Sequence, residues 1–140
     1  MYKKILRIIA ITLVVSVALS LTAYAVETRE SRYIFKTTAQ IFRDGGGAMT
    51  VEFSVTDTKP MTMIGAEEVR IYGSDGTVVR FYYTDKGCEE FMSDYTTGYY
   101  SNRVSYQGKT GVTYYAVVTL YCGDATGNDT RNHTTDDIVA

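Results

Sequence analysis

The sequence predicts an all-β fold, an antiparallel sandwich of about seven strands, and three observations support this prediction. The chain of 140 residues contains 13 Tyr and 5 Phe but only one Pro and no Trp, and strands favour Tyr and Phe. After residue 25, short stretches alternate apolar and polar residues with the period of two that a half-buried strand shows. Turn residues separate these stretches, and none of them sustains the 3.6-residue period of a helix.

Two of the predicted strands flank a glycine-rich turn. Residues 49–56 alternate strictly, and residues 33–43 can be aligned to alternate in the same way. The run 44–47, Asp-Gly-Gly-Gly, breaks both patterns as a turn does, so we expect a hairpin. Residues 56–63 contain the sole proline, Pro60, and are predicted to form a loop. The residues predicted to share the inward faces are Tyr33, Phe35, Thr37, Ala39 and Ile41 on the first strand, and Met49, Val51, Phe53 and Val55 on the second.

A second hairpin is predicted around residues 73–76, Gly-Ser-Asp-Gly, because Asp and Gly tolerate the turn backbone. Strands over 68–72 and 77–84 flank it. Residues 85–100 lack alternation and predict a long connection with one helical turn near residues 89–92. The last third returns to strands over 103–106, 114–122 and an edge segment 131–135. The residues predicted to face the core on the strand 114–122 are Tyr114, Ala116, Val118, Leu120 and Cys122.

The first 25 residues have the three parts of a secretory signal peptide. A short basic segment precedes a 14-residue apolar run, residues 8–21, and Ala23-Tyr24-Ala25 follows as a small-x-small cleavage site. We therefore expect a secreted protein with a sandwich domain over 26–135 and an acidic C-terminal end over 136–140. The alternative is an uncleaved segment that would hold the protein at a membrane.

Net charge disfavours a nucleic-acid partner. Cleavage after Ala25 leaves 11 of the 14 basic residues against all 16 acidic ones, a net charge of −5. The remaining basic residues are scattered singly, whereas phosphate backbones are bound by clustered basic faces. We expect a partner at the cell exterior, either a protein or a glycan.

The chain has two cysteines, Cys88 and Cys122. An even number of cysteines in an exported chain favours a disulfide. The alternative is a pair of buried thiols, with Cys122 acting as a small core residue.

The C-terminal third resembles a known group of sequences. Residues 104–122 read Val-Ser-Tyr-Gln-Gly-Lys-Thr-Gly-Val-Thr-Tyr-Tyr-Ala-Val-Val-Thr-Leu-Tyr-Cys. This stretch resembles the V-x-Y-x-G-x-x-G-x-x-Y-Y-A-x-V-x-x-Y-A pattern of small exported β-sandwich proteins of Firmicutes, which are Ig-like or fibronectin-III-like. Their preceding I-x-I-Y-x-x-x-G hairpin is loosely matched by residues 69–76.

The resemblance implies an Ig-like sandwich and supplies no catalytic residues. In such folds a Tyr two residues before a core position of the sixth strand closes the preceding corner with its hydroxyl group. Tyr114 and Ala116 have that spacing, so Tyr114 is the expected structural corner. The chain departs from the pattern at Cys122, which replaces a final small Ala and makes a bridge to Cys88 plausible.

Common catalytic arrangements are absent from the sequence, so no catalytic residue and no cofactor are predicted. His133 is the only histidine, and we expect it in a mobile tail, away from either cysteine. The pairs 67–68 and 89–90 are adjacent glutamates, whose side chains point to opposite faces of a strand. Glu52 and Glu68 could still meet across strands, which keeps a small hydrolase with a carboxylate pair as one alternative.

A metal site is not predicted, with one weak calcium candidate. Asp124, Asn128 and Asp129 offer oxygen ligands, which Ca²⁺ prefers. Their spacing misses the known calcium-loop order, and Asp, Gly and Asn are the residues of an ordinary turn.

The tyrosines are the remaining functional signal. Tyr95, Tyr99 and Tyr100 in the long connection and Tyr82 on a predicted outer face could form a stacking platform for a sugar or a contact patch for a protein. The alternative is that they pack across strands, as tyrosines on half-exposed sheets do. We expect a non-enzymatic interaction or envelope-associated module, with a carbohydrate-binding module as the first alternative.

Overall fold

A computed structural model describes residues 32–140, which form two antiparallel β-sheets packed face to face. This confirms the predicted all-β sandwich. The predicted signal peptide and its cleavage site lie outside the described residues. Between residues 32 and 140 no helix is long and apolar enough to cross a membrane. The strands are β1 (Ile34–Gly45), β2 (Ala48–Met61), β3 (Met63–Gly73), β4 (Val78–Tyr82), β5 (Thr97–Gln107), β6 (Thr113–Asp124), β7 (Gly127–Thr134) and β8 (Ile138–Val139).

The eight strands divide into a three-stranded and a five-stranded sheet. The first has the order β1-β2-β5, and the second has the order β4-β3-β6-β7 with β8 also paired to β6. Between β4 and β5 the chain forms one turn of 3-10 helix, Glu89–Phe91, as the sequence predicts. Both predicted hairpins are present, at the turns between β1 and β2 and between β3 and β4.

The core lies between the sheets and follows the predicted alternation. On β6 all five residues predicted to face inward have no exposed surface, and the four on β2 are exposed by at most 2%. Burying side chains of this size from both sheets is the main favourable term in folding such a sandwich. The largest fully buried side chains include Tyr114, Phe53, Met49, Met61, Ile64, Ile71 and Leu120.

Three parts of the fold differ from the sequence-based expectation. Phe35 is 72% exposed. A register shift between Ile34 and Lys36 interrupts the alternation of inward and outward side chains, so Phe35 points away from the core. The expected loop over 56–63 is strand for most of its length, although the pairing of β2 with β5 is irregular between Thr56 and Met61. The expected acidic end pairs with β6 as β8, and the sandwich extends to the buried Ala140.

The predicted disulfide between Cys88 and Cys122 is absent. Both thiols are unbonded and buried, which is the alternative that the sequence leaves open. The Cys122 thiol lies against the Asp57 carboxyl of the facing sheet, whereas Cys88 precedes the 3-10 helix near Asp85 and Glu89. Burial raises the pKa of both thiols.

Tyr114 holds the corner before β6. Its hydroxyl oxygen accepts a hydrogen bond from the backbone N–H of Lys109 at 2.9 Å, and its ring is fully buried. The ring lies so close to Gly73 and Gly108 that a Cβ at either position would come within 2.7 or 2.8 Å of it. Gly108, a glycine of the matched pattern, and Gly73 therefore both make room for this tyrosine. The hydrogen bond is worth about 1 kcal/mol.

Candidate functional site

The outer face of the three-stranded sheet carries a shallow groove of about 430 Å³. We call it the polar groove. It forms because alternate residues of β1, β2 and β5 point away from the core, and on these strands the outward residues are mostly Ser, Thr, Gln and charged residues. The residues that line it are Thr38 and Gln40 of β1, Glu52 and Ser54 of β2, and Tyr99, Ser101 and Arg103 of β5; Phe53 and Asn102, between them along the strands, also border it.

The strand register arranges these side chains in rows across the sheet. Gln40, Glu52 and Arg103 form one row, and Thr38, Ser54 and Ser101 form the next. Tyr99 stands at the end of the groove, opposite Thr56, and is 55% exposed. The rows thus place amide, hydroxyl and charged groups beside one exposed aromatic ring.

Most polar groups of the groove remain available to a ligand. Thr38 and Ser54 share one hydrogen bond between their hydroxyl oxygens, at 2.6 Å. Arg103 Nη1 approaches Glu52 Oε1 only to 4.0 Å, and the two side chains are 73% and 49% exposed. An exposed ion pair of this length contributes little to stability. Both charged groups can therefore exchange their weak mutual contact for hydrogen bonds to a bound molecule.

The structure separates the four predicted tyrosines. Of the four, only Tyr99 lines the groove. Tyr95 and Tyr100 form an edge-to-face pair with ring centroids 6.4 Å apart, and the Tyr100 hydroxyl donates to the Glu90 carbonyl at 2.7 Å. Burial raises the pKa of Tyr100. Tyr82 lies on β4 in the other sheet, so the four rings do not form one platform.

The carboxylates that the sequence left as a possible pair lie on different sheets. Glu52 is on β2 and lines the polar groove, whereas Glu68 is on β3 and binds Arg70. His133 is not in a mobile tail but on β7, opposite Val118. Its Nδ1 lies 3.5 Å from the Thr37 hydroxyl oxygen.

The calcium candidate is a turn whose first acid is already bound. Asp124 Oδ2 pairs with Lys59 Nζ at 3.1 Å, and Oδ1 accepts hydrogen bonds from the backbone and side chain of Thr126. These contacts hold the pKa of Asp124 at about 2. Asp129 lies opposite Cys122, and Asn128 is exposed. Within residues 32–140 no three His, Cys, Asp or Glu side chains are grouped to bind a metal.

Sequence reasoning missed the groove because its lining comes from strands about 50 residues apart. The outward residues of β2 were identifiable from alternation, but β5 was predicted only over residues 103–106 and begins at Thr97. The register between β2 and β5 was the missing information. Comparison with protein-family models, curated proteins and solved structures found no match to this chain.

Proposed function

We propose that the protein is a secreted, non-enzymatic interaction module that binds its ligand in the polar groove. The observation that carries this proposal is the set of exposed polar side chains, Gln40, Glu52, Ser101 and Arg103, beside the exposed ring of Tyr99. A shallow, open and polar depression suits a ligand that contributes its own hydrogen bonds. The signal-like residues 1–25 support an extracellular location, and the net negative charge disfavours nucleic acid as the partner.

Blocking the groove tests this proposal. Ser54 lies in its middle row, and Ser54→Trp would fill it with a residue that strands favour. The matched control is Asn132→Trp, an exposed position on β7 of the other sheet. Both proteins would be applied to a glycan array and to an array of extracellular protein fragments. Loss of a wild-type signal in the Ser54 variant alone supports the groove, whereas equal binding by all three proteins overturns it.

Carbohydrate binding is the second candidate, and Tyr99 is the observation that favours it. An exposed ring can stack on a sugar, while Gln40, Glu52 and Arg103 offer donors and acceptors to its hydroxyl groups. We expect Tyr99→Ala to weaken binding to an arrayed glycan by about tenfold, equivalent to about 1.4 kcal/mol. Tyr82→Ala is the matched control. The absence of any sugar signal on a broad array would contradict this candidate.

The hydrolase candidate has less support. Two carboxyl groups must flank a scissile bond within about 5 to 10 Å of each other. Glu52 and Glu68 belong to the two different sheets and contact different arginines. We therefore propose no catalytic role for either.

An Ig-like topology is also part of the proposal. The sheet orders β1-β2-β5 and β4-β3-β6-β7 support it, because Ig-type sandwiches likewise place the first, second and fifth strands in one sheet and the third, sixth and seventh in the other. The Tyr114 corner supports it independently. Membership in the exported Firmicutes group stays a prediction from the sequence pattern.

A further inference from the structure

Two arginines face each other on the outer surface of the five-stranded sheet. Arg70 of β3 and Arg80 of β4 are direct cross-strand partners, a position in which like charges repel. Across residues 32–140, Glu68 is the one acid within ion-pair distance of either guanidinium group. The pair of arginines therefore carries one positive charge more than its acidic partner neutralises.

Both carboxylate oxygens of Glu68 are hydrogen-bonded to Arg70. Its two carboxylate oxygens accept hydrogen bonds from Arg70 Nη2 at 2.9 Å, and Oε1 also accepts from Nε at 3.1 Å. Arg70 Nη1 donates to the Tyr72 hydroxyl oxygen at 3.0 Å. The hydrogen bonds to Tyr72 and Glu68 raise the pKa of Arg70. Arg70 is thus a fixed, permanently charged group.

Arg80 makes a weaker contact with Glu68 and is more exposed than Arg70. It reaches Glu68 only through Nε at 3.9 Å, which is beyond hydrogen-bond distance. Its side chain is 53% exposed, against 30% for Arg70. The planar fork of Arg80 can therefore bind a second carboxylate without breaking the bonds between Glu68 and Arg70.

Apolar surface adjoins the arginines in the next row of the sheet. Val78 lies opposite Tyr72, which lies opposite Tyr115. The two tyrosine rings stack with their centroids 5.0 Å apart, and Val78 is 51% exposed. All three line a pocket of about 290 Å³, to which Asp137 also contributes. Because Asp137 repels anions, a ligand would place its negative group at the arginines and its apolar part in the pocket.

We propose that this surface binds a carboxylate carried by an aromatic or alkyl group. The carboxylate would accept two hydrogen bonds from the Arg80 fork, and the attached group would contact Val78 and the stacked rings of Tyr72 and Tyr115. A carboxylate matches the fork in geometry, whereas a monatomic anion gains only the charge. The site lies on a different sheet from the polar groove and does not depend on the function proposed there.

Nuclear magnetic resonance of the arginine Nε–H groups tests this site directly. Isotope-labelled protein would be titrated with 3-phenylpropionate and, separately, with the blocked peptide acetyl-Gly-Glu-Gly-Phe-amide. We expect saturable shifts of the Arg80 and Arg70 signals and at least tenfold weaker binding to Arg80→Gln. Arg43→Gln, which changes an exposed arginine of the other sheet that lies outside the polar groove, should bind as the wild type does. The tighter of the two probes identifies a free aromatic acid or an acidic peptide segment as the natural source.

Neutral and monatomic probes define the results that would overturn the site. 3-Phenylpropanamide retains the ring but has no charge, and sodium chloride supplies only a simple anion. Equal affinity for the amide, equal shifts with chloride, or unchanged binding by Arg80→Gln would each refute carboxylate recognition. The Arg80 change is at an exposed position, so the variant is expected to fold, and its β-sheet circular dichroism would verify this.

Discussion

The carboxyl group of Asp57 makes a quantitative prediction about pH and stability. Asp57 lies near the end of β2 and is only 8% exposed. Among the described residues neither of its carboxylate oxygens has a hydrogen-bond partner, and the neighbouring Cys122 thiol is at most a weak donor. Burial raises the pKa of Asp57 from 3.8 to about 6. The folded protein therefore holds this proton more tightly than the unfolded chain does.

The sign and size of the effect follow from that difference. Between pH 4 and pH 6 the native state binds more protons than the unfolded state, so the free energy of unfolding falls as pH rises. A shift from 3.8 to about 6 corresponds to a penalty of about 3 kcal/mol once Asp57 is ionised. Most of this penalty, about 2.5 kcal/mol, develops between pH 4 and pH 7.5.

Asp57→Asn removes the titration while keeping the shape of the side chain. The buried amide has its own cost of about 1 to 3 kcal/mol, but that cost is the same at both pH values and cancels in the comparison. Urea unfolding at pH 4 and pH 7.5 should show that the wild type loses about 2.5 kcal/mol relative to the variant. Asp136→Asn, at an exposed position, is the control. Parallel pH dependence of wild type and Asp57→Asn would refute the reasoning.

Two further predictions concern the cysteines and a close backbone contact. Because Cys88 and Cys122 are unbonded and buried, unreduced protein should react with iodoacetamide slowly when native and at both thiols when unfolded in urea; a mass two hydrogens lower and no alkylation would contradict this. Gly65→Ala should lower the free energy of unfolding by at least about 2 kcal/mol, because its Cβ would lie 2.0 Å from the Phe91 carbonyl oxygen, whereas Gly98→Ala, with its nearest atom at 3.9 Å, is the control. Equal stability of these two variants in urea would overturn that contact.

The sequence predicts the fold where local alternation and turn chemistry act together. On β6, strict alternation identified the buried face from Tyr114 to Cys122 correctly. The prediction that Phe35 faces the core was wrong, because a single bulge moves the following residues to the other face of the strand, and alternation cannot reveal a bulge. The prediction of a disulfide was wrong for a related reason: the number of cysteines and the export context do not determine where either thiol points.

The candidate sites were harder to predict than the core. Recognition of the polar groove requires the register between β2 and β5, strands that are distant in sequence. The arginine pair lies within one hairpin, and its register could have been read from the turn at residues 73–76. No local pattern reveals that the Glu68 carboxylate binds Arg70 closely and leaves Arg80 exposed.

The polar groove and the buried carboxyl group of Asp57 share one strand. Thr56 is the last residue of β2 in continuous register with β5, and its partner is Tyr99. Asp57 follows at once and is buried, so we expect the cost of ionising its carboxyl group to affect the part of β2 next to Tyr99, the aromatic end of the groove. A pH effect on ligand binding could thus arise from the core rather than from the ligand. Asp57→Asn separates the two causes, because it removes the titration and leaves the outer face of the sheet unchanged.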